Sequence, residues 1–470
     1  MLQKNSFYSA RFLLLCLTYI TFLVYLIFSV YFYKERVCYI DSAYYLFQIL
    51  EFDAIKGGSF RYGGFLPQIP VFILQKFDVN LKFLILTFSV SFALIHLCIF
   101  YIVKSILKNP YAAYAIIFIQ IICIGDSYFH AINETHQAIT YAILYFSWLG
   151  YCIKGNVRFY VNILISSLII AIGLLTHPVF VLLILFIWIY KYIELNNKKV
   201  DTSIWLGLIL FILVYILKKV LIKTPGYDNE FYEQLKDVSN LLNIKNLASS
   251  VFFANYFWNL YSGVIVLLIA TIYTLLKLKK GKLAIVTLGY FAFSLVLSLI
   301  IYNKGDSKIM MERSFMMLGL VAILPLFMHI PHIISTKHRQ AVVVIILMTT
   351  ILSFIRIYNS GLKYKERIAY SYELLHRYNS LGIKKAVIKN SDIDMNKIEI
   401  PWTYAVETLF LSTLAKQLPS QTIYIANDAN RIKKFNAPDL FLCVHFWDIW
   451  NSNKLSEYYP LPETNYVWVE

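Results

Sequence analysis

The stretch Lys34–Asn80, KERVCYIDSAYYLFQILEFDAIKGGSFRYGGFLPQIPVFILQKFDVN, lies between the first two long apolar runs and decides the reading of everything around it. From Ile40 onward the apolar residues Ile40, Ala43, Tyr44, Phe47, Leu50 and Ala54 recur at three- and four-residue steps, the period of one helical face. That pattern predicts an amphipathic helix lying along a bilayer surface, with Asp41 at its start, where a carboxylate can cap free backbone N–H groups. Gly57, Gly58, Gly63 and Gly64 interrupt it, Arg61 sits among them, and Leu66-Pro67-Gln68-Ile69-Pro70 opens a second short apolar element. A loop that only joined two spans would be shorter and plainer, so residues 34–80 read as a site.

The rest of the chain explains why such a loop stands out. Of its 470 residues 59% are hydrophobic and 15% charged, which is too apolar for a soluble globule and fits a polytopic α-helical membrane protein. The net charge of +16 is spread in short basic clusters between apolar runs, the pattern of topogenic charge rather than of a nucleic-acid surface. Cys16, Cys98, Cys123 and Cys152 fall in or beside apolar runs and show no metal-ligand spacing. Cys38 and Cys443 are the pair that could form a disulfide in an oxidising compartment. The first apolar run is long for a cleaved signal peptide and is expected to be a retained anchor.

Counting roughly 20 apolar residues per span predicts about eleven crossings. They fall near Ala10–Tyr33, Phe83–Leu107, Tyr111–Ile124, Ala138–Ile153, Phe159–Thr176, Pro178–Tyr192, Ser203–Leu217, Trp258–Leu276, Leu283–Tyr302, Ser314–Ile334 and Ala341–Ile355. Lys104 with Lys108, Lys154 with Arg158, Lys191 with Lys198 and Lys199, Lys277–Lys282, and Lys337 with Arg339 share one side, which the positive-inside rule makes cytoplasmic together with the N-terminus. Lys218, Lys219 and Arg356 stand against that rule. The tail changes character: helical periodicity over Tyr364–Leu381 and Trp402–Gln417 alternates with strand-like Lys384–Ile388 and Thr422–Ala426. Residues 1–356 are therefore expected to form the membrane domain and 357–470 a small extracytoplasmic α/β domain.

The polar residues that could carry chemistry gather on the non-cytoplasmic side. Asp41 at a bilayer edge would have its basicity raised by partial desolvation, enough to accept a proton from an attacking hydroxyl or amine. In GDSYFHAINETHQ, residues 125–137, the four-residue steps between Asp126, His130 and Glu134 would place them on one helical face, and with His136 they could bind a divalent cation or a sugar or simply solvate a loop. His177, in the turn before Pro178, faces the same side as a candidate substrate contact. Lys304, Asp306, Lys308, Glu312 and Arg313 precede a late span, where Arg313 and a lysine could neutralise a departing phosphate, a role for which Arg61 competes.

With these pieces placed, the chain resembles the GT-C superfamily of membrane glycosyltransferases, near protein mannosyltransferases and lipid A aminoarabinose transferases. The likeness lies in Tyr39-Ile40-Asp41-Ser42-Ala43-Tyr44-Tyr45, in Phe65-Leu66-Pro67-Gln68-Ile69-Pro70, in Gly173-Leu174-Leu175-Thr176-His177-Pro178, and in Glu312-Arg313 before a span containing Pro325. The sequence departs where many relatives carry a second acid, here Ser42, and where the turn often carries a basic residue, here His177. The resemblance implies a plasma-membrane enzyme that inverts a sugar drawn from a polyprenyl-phosphate donor and hands it to a lipid or glycan acceptor. In it Asp41 is the base, Arg313, Arg61 and Lys308 meet the donor phosphate, and His177, Glu134, His136 and Tyr44 contact substrate.

Other classes fit the same composition. A lipid-linked substrate transporter or flippase would bury ionisable residues in mid-span, where His96 stands nearly alone. An O-antigen polymerase or ligase would carry its large loop late in the chain. A membrane subunit without chemistry would not need so patterned a first loop.

Overall fold

The computed structural model describes residues 2–55, 61–155, 157–195, 202–222, 233–236, 239–415, 419–426, 437–443, 449–451, 455 and 457–469. Gly57, Gly58, Lys198 and Lys199 lie outside them. Among the described residues eight helices are long and apolar enough to cross a membrane. They are Phe12–Tyr31, Leu81–Ile106, Phe159–Thr176, Thr202–Leu221, Phe257–Lys277, Gly281–Ile301, Lys308–His332 and Thr336–Ser380. The chain is a multi-pass helical membrane protein.

Three of the expected eleven crossings take another form. Pro110–Ile121 and Val179–Glu194 are short, and Glu134–Ile153 opens with polar residues. The first and third are almost entirely buried, so they form the inside of the bundle. Lys308–His329 is their counterpart among the long helices: its span is 83% buried, which makes it the axis around which the others pack. Local chemistry sets the starts of these elements. Asn80, Asn109 and Asn133 each accept a backbone N–H of the first turn, and Pro110 follows Asn109 at the first helical position, where its missing N–H costs nothing.

The helix Thr336–Ser380 runs unbroken for 45 residues, about 67 Å at the usual rise. The expected domain boundary at residue 356 therefore falls inside one helix, and the tail is carried rigidly on the end of a span. Beyond it, strands β1 (Lys385–Lys389), β2 (Thr422–Ala426), β3 (Leu440–Leu442), β4 (Ile449–Asn451) and β5 (Val467–Val469) form a parallel sheet ordered β2-β1-β5 and an antiparallel pair β3-β4. The helix Tyr404–Leu414 makes the β1-to-β2 crossover, and its Thr408 hydroxyl accepts the Ile423 N–H at 2.9 Å.

The helix predicted from residue 40 spans Ile40–Phe52, but its apolar face does not lie open against lipid. Ala43, Leu46, Phe47 and Leu50 belong to one buried cluster with Phe410, Phe441 and Tyr459 of the tail. An amphipathic face can be covered by protein as well as by a bilayer, and here the tail covers it.

Candidate functional site

The described parts of residues 34–80, with residues 125–133 and 303–313, meet the start of the tail at one end of the bundle. The close approach begins at Gly63, where a Cβ would stand 2.1 Å from Thr176 Oγ1 and 2.3 Å from the Ile172 carbonyl, so only glycine lets this loop reach the Thr176-His177 turn. Arg61, two residues earlier, then lies 3.6 Å from the Glu134 carboxylate.

Glu134 also accepts from Arg313 Nη2 at 2.8 Å, and Arg313 Nη1 stands 3.3 Å from His130 Nδ1. His130 Nε2 is in turn 3.0 Å from Asp41 Oδ2. Because a guanidinium can only donate, His130 accepts at Nδ1, which leaves its Nε2 facing the Asp41 carboxylate. Arg61, Glu134, Arg313, His130 and Asp41 thus form a continuous chain of close polar contacts, hydrogen-bonded at its centre and closed at both ends by charge-range contacts. Its middle is buried and its two ends are partly exposed: His130 is wholly covered, whereas Asp41 keeps 26% and Arg61 15% of the side chain exposed.

Asp41 does not cap its helix as the sequence predicts; no side-chain cap is present, and the carboxylate is turned to His130 instead. Its basicity also moves the other way. Burial pushes the carboxyl up, but the hydrogen bond and charge of His130, with Arg313 and Arg61 nearby, outweigh it and leave the group below its ordinary 3.8. Asp41 is therefore ionised at neutral pH. Ser42 is fully buried, and its hydroxyl accepts the Ile132 N–H at 3.4 Å, tying the two loops together.

The adjacent residues Glu312 and Arg313 hold the second loop from two sides. Arg313 grips side chains of that loop, while the buried Glu312 carboxylate accepts the backbone N–H groups of Gly125, Asp126 and Ser127 at 2.9, 3.2 and 2.8 Å. Those bonds fix a tight turn over Asp126–Phe129, and the next helix starts only at Glu134. Asp126, His130 and Glu134 therefore do not share one helical face: His130 and Glu134 meet Arg313, while Asp126 turns to other partners. Asp126 takes Lys308 at 2.9 Å and Ser360 at 2.6 Å. Among the described residues no group of three or more His, Cys, Asp and Glu side chains is arranged to hold a metal ion.

Some expected contacts lie elsewhere. Lys308 serves Asp126 and Glu312, not the Arg61–Asp41 chain, because a lysine four residues before Glu312 on a helix faces the same carboxylate. His136 points inward, Nδ1 2.7 Å from Gln120 Oε1. Tyr44, one turn beyond Asp41, packs edge-on against Trp402 of the tail. His177 does stand near the chain: its Nδ1 accepts the Val179 N–H at 3.2 Å, and burial, then Arg61, Arg313 and Lys218, hold its imidazole well below the ordinary 6.5 and so neutral.

Two residues that sequence reading did not single out complete the site. Glu407 accepts the Ile40 N–H at 2.8 Å and pairs with Arg367, which also donates to the Cys38 and Ile398 carbonyls. Their link to residue 40 spans more than 320 positions and leaves no local signal. Cys38 and Cys443, read as a possible disulfide, are both buried free thiols, drawn into the same apolar cluster by packing rather than by a bond.

Compared with known proteins, the chain matches no family model and no curated sequence.

Proposed function

We propose that the protein is a GT-C-like glycosyltransferase that moves a sugar from a polyprenyl-phosphate donor to a lipid or glycan acceptor. The face carrying residues 34–80 and the tail is, in this reading, the non-cytoplasmic face of the plasma membrane, where little nucleotide is available. The observation that carries it is the Asp41 carboxylate, open to approach on one side and held on the other by a histidine that an arginine has fixed in one tautomer. Such a carboxylate is ionised and already oriented, so it can take up a proton without reorganising, as a weaker base than an unperturbed aspartate.

The acceptor oxygen or nitrogen attacks the anomeric carbon from the face opposite the phosphate. As the new bond forms, the bond from that carbon to the phosphate oxygen breaks and the lipid phosphate leaves with the electron pair. The acceptor proton passes to Asp41. Arg61, less covered than Arg313 and the weaker of Glu134's two partners, is the cation best placed to turn toward the phosphate.

The test is sugar transfer by purified protein with a panel of polyprenyl-phosphate sugars, repeated with Asp41→Asn. Loss of transfer by about 10²-fold or more in a folded variant supports the base assignment; an unchanged rate removes it. A lipid-linked substrate carrier is the second reading, favoured by the buried polar group of Arg36, His96, Gln120 and His136 inside the bundle. It predicts movement of lipid-linked sugar across vesicles without any transfer product.

A further inference from the structure

Beside His130 lies a small cavity lined by His130, Arg36, His96, Ser127, Asn133, His136 and Gln137 and walled by Tyr25, Phe92, Tyr128 and Ala131. The centre of a water-sized sphere can move through about 10 Å³ of it, room for one small occupant. No aspartate or glutamate lines it.

Arg36 is the reason the cavity matters. Its side chain is 1% exposed, and only one long contact, Nη2 to the Ser89 carbonyl at 3.4 Å, ties its guanidinium to the backbone. The Tyr128 ring lies 4.1 Å beneath it, a neutral surface that eases a cation's burial without cancelling its charge. Nε and Nη1 have no hydrogen-bond partner. A guanidinium buried without a carboxylate partner costs several kcal/mol, and an arginine cannot escape that cost by losing its proton.

The rest of the lining points the same way. Asn133 Oδ1 accepts the Thr135 N–H at 3.1 Å, which fixes its amide and leaves Nδ2, unpartnered, as a donor. Ser127 Oγ and Gln137 Nε2 are unpartnered as well. The unpaired atoms of the lining include the acceptors Gln137 Oε1 and His136 Nε2, but donors outnumber them around a cation that lacks a carboxylate partner.

We propose that this cavity binds one small monovalent anion of the halide class, which neutralises Arg36 and takes hydrogen bonds from Asn133 and Ser127. The anion site does not depend on sugar transfer and is expected whatever reaction the protein performs. Because His130 forms part of the wall, an occupied cavity also stiffens the support behind Asp41.

The experiment uses the full chain in detergent or nanodiscs, unfolded thermally in chloride–gluconate mixtures at constant ionic strength. Chloride raises Tm by about 2 °C per tenfold increase once the site is close to saturation, and bromide does the same. Arg36→Met, which replaces the cation with an apolar chain of similar length, abolishes the halide dependence whatever its own stability. Crystals grown in bromide show an anomalous peak beside Arg36 in the wild-type protein, which needs no variant to fold. A Tm indifferent to halide with no bromide peak makes the occupant a water and overturns the proposal. A halide effect that persists unchanged in Arg36→Met overturns it too, because the ion then acts elsewhere.

Discussion

The backbone N–H of Ile40 is held by Glu407, 367 positions later, at 2.8 Å. Ile40 has φ +36°, a left-handed conformation that a β-branched residue avoids, and it immediately precedes Asp41. The tail therefore holds in place the strained turn from which the candidate base projects. Glu407 is itself held by Arg367 and by the Thr403 hydroxyl at 2.6 Å, all three fully or nearly fully buried. Glu407→Ala leaves Arg367 buried and unpaired and should cost about 3–5 kcal/mol, read as a drop in thermal midpoint. The double variant Glu407→Leu with Arg367→Met should be milder than either single change. A double-variant loss equal to the sum of the two single losses would show that the pair is not coupled.

His130 sets the charge state of Asp41. Since its hydrogen bond is the largest influence lowering that carboxyl, His130→Ala leaves burial to push it upward. The acid limb of the transfer rate against pH then moves to higher pH, and an unmoved limb separates His130 from the base. The sign for stability follows: a carboxyl depressed in the folded state contributes stability at neutral pH that is lost as pH falls through 3.8 and below.

Arg313 must meet His130 and Glu134 at once, which a planar fork can do and a single ammonium cannot. Arg313→Lys should lower kcat by about 10²-fold. Arg61→Lys should act chiefly on the KM for the lipid donor. If the two variants behave alike in steady-state kinetics, the division of roles is wrong.

Glu312→Gln replaces one of two accepting oxygens with a donor facing three backbone N–H groups. The expected loss is about 1–3 kcal/mol in thermal unfolding, without a change in the pH profile that His130 controls.

Cys38 and Cys443 are buried free thiols, and burial pushes the Cys38 thiol far above its usual range, away from the reactive thiolate. Neither should react with maleimide in the folded protein, and reductant should leave the thermal midpoint unchanged. A midpoint that falls on reduction would reveal a bond between them.

Periodicity and apolar length made the membrane class, most of the spans, the helix after Tyr39 and the two main strands of the tail legible, because each depends on residues close together in sequence. The same local signals marked Asp41, Glu134, Arg61 and Arg313 as unusual, since charges beside apolar runs are conspicuous. They could not give the partners. Which carboxylate meets which cation depends on how loops 34–80, 125–133 and 303–313 close over one another, and that closure is decided by packing: a glycine small enough to touch Thr176, and a carboxylate that gathers three N–H groups. The downward shift of Asp41 could not be read either, because solvation and neighbouring charges exist only once the chain is folded. The unbroken helix through residue 356 and the clasp of Glu407 on Ile40 belong to the tertiary structure alone, where distance along the chain no longer limits contact.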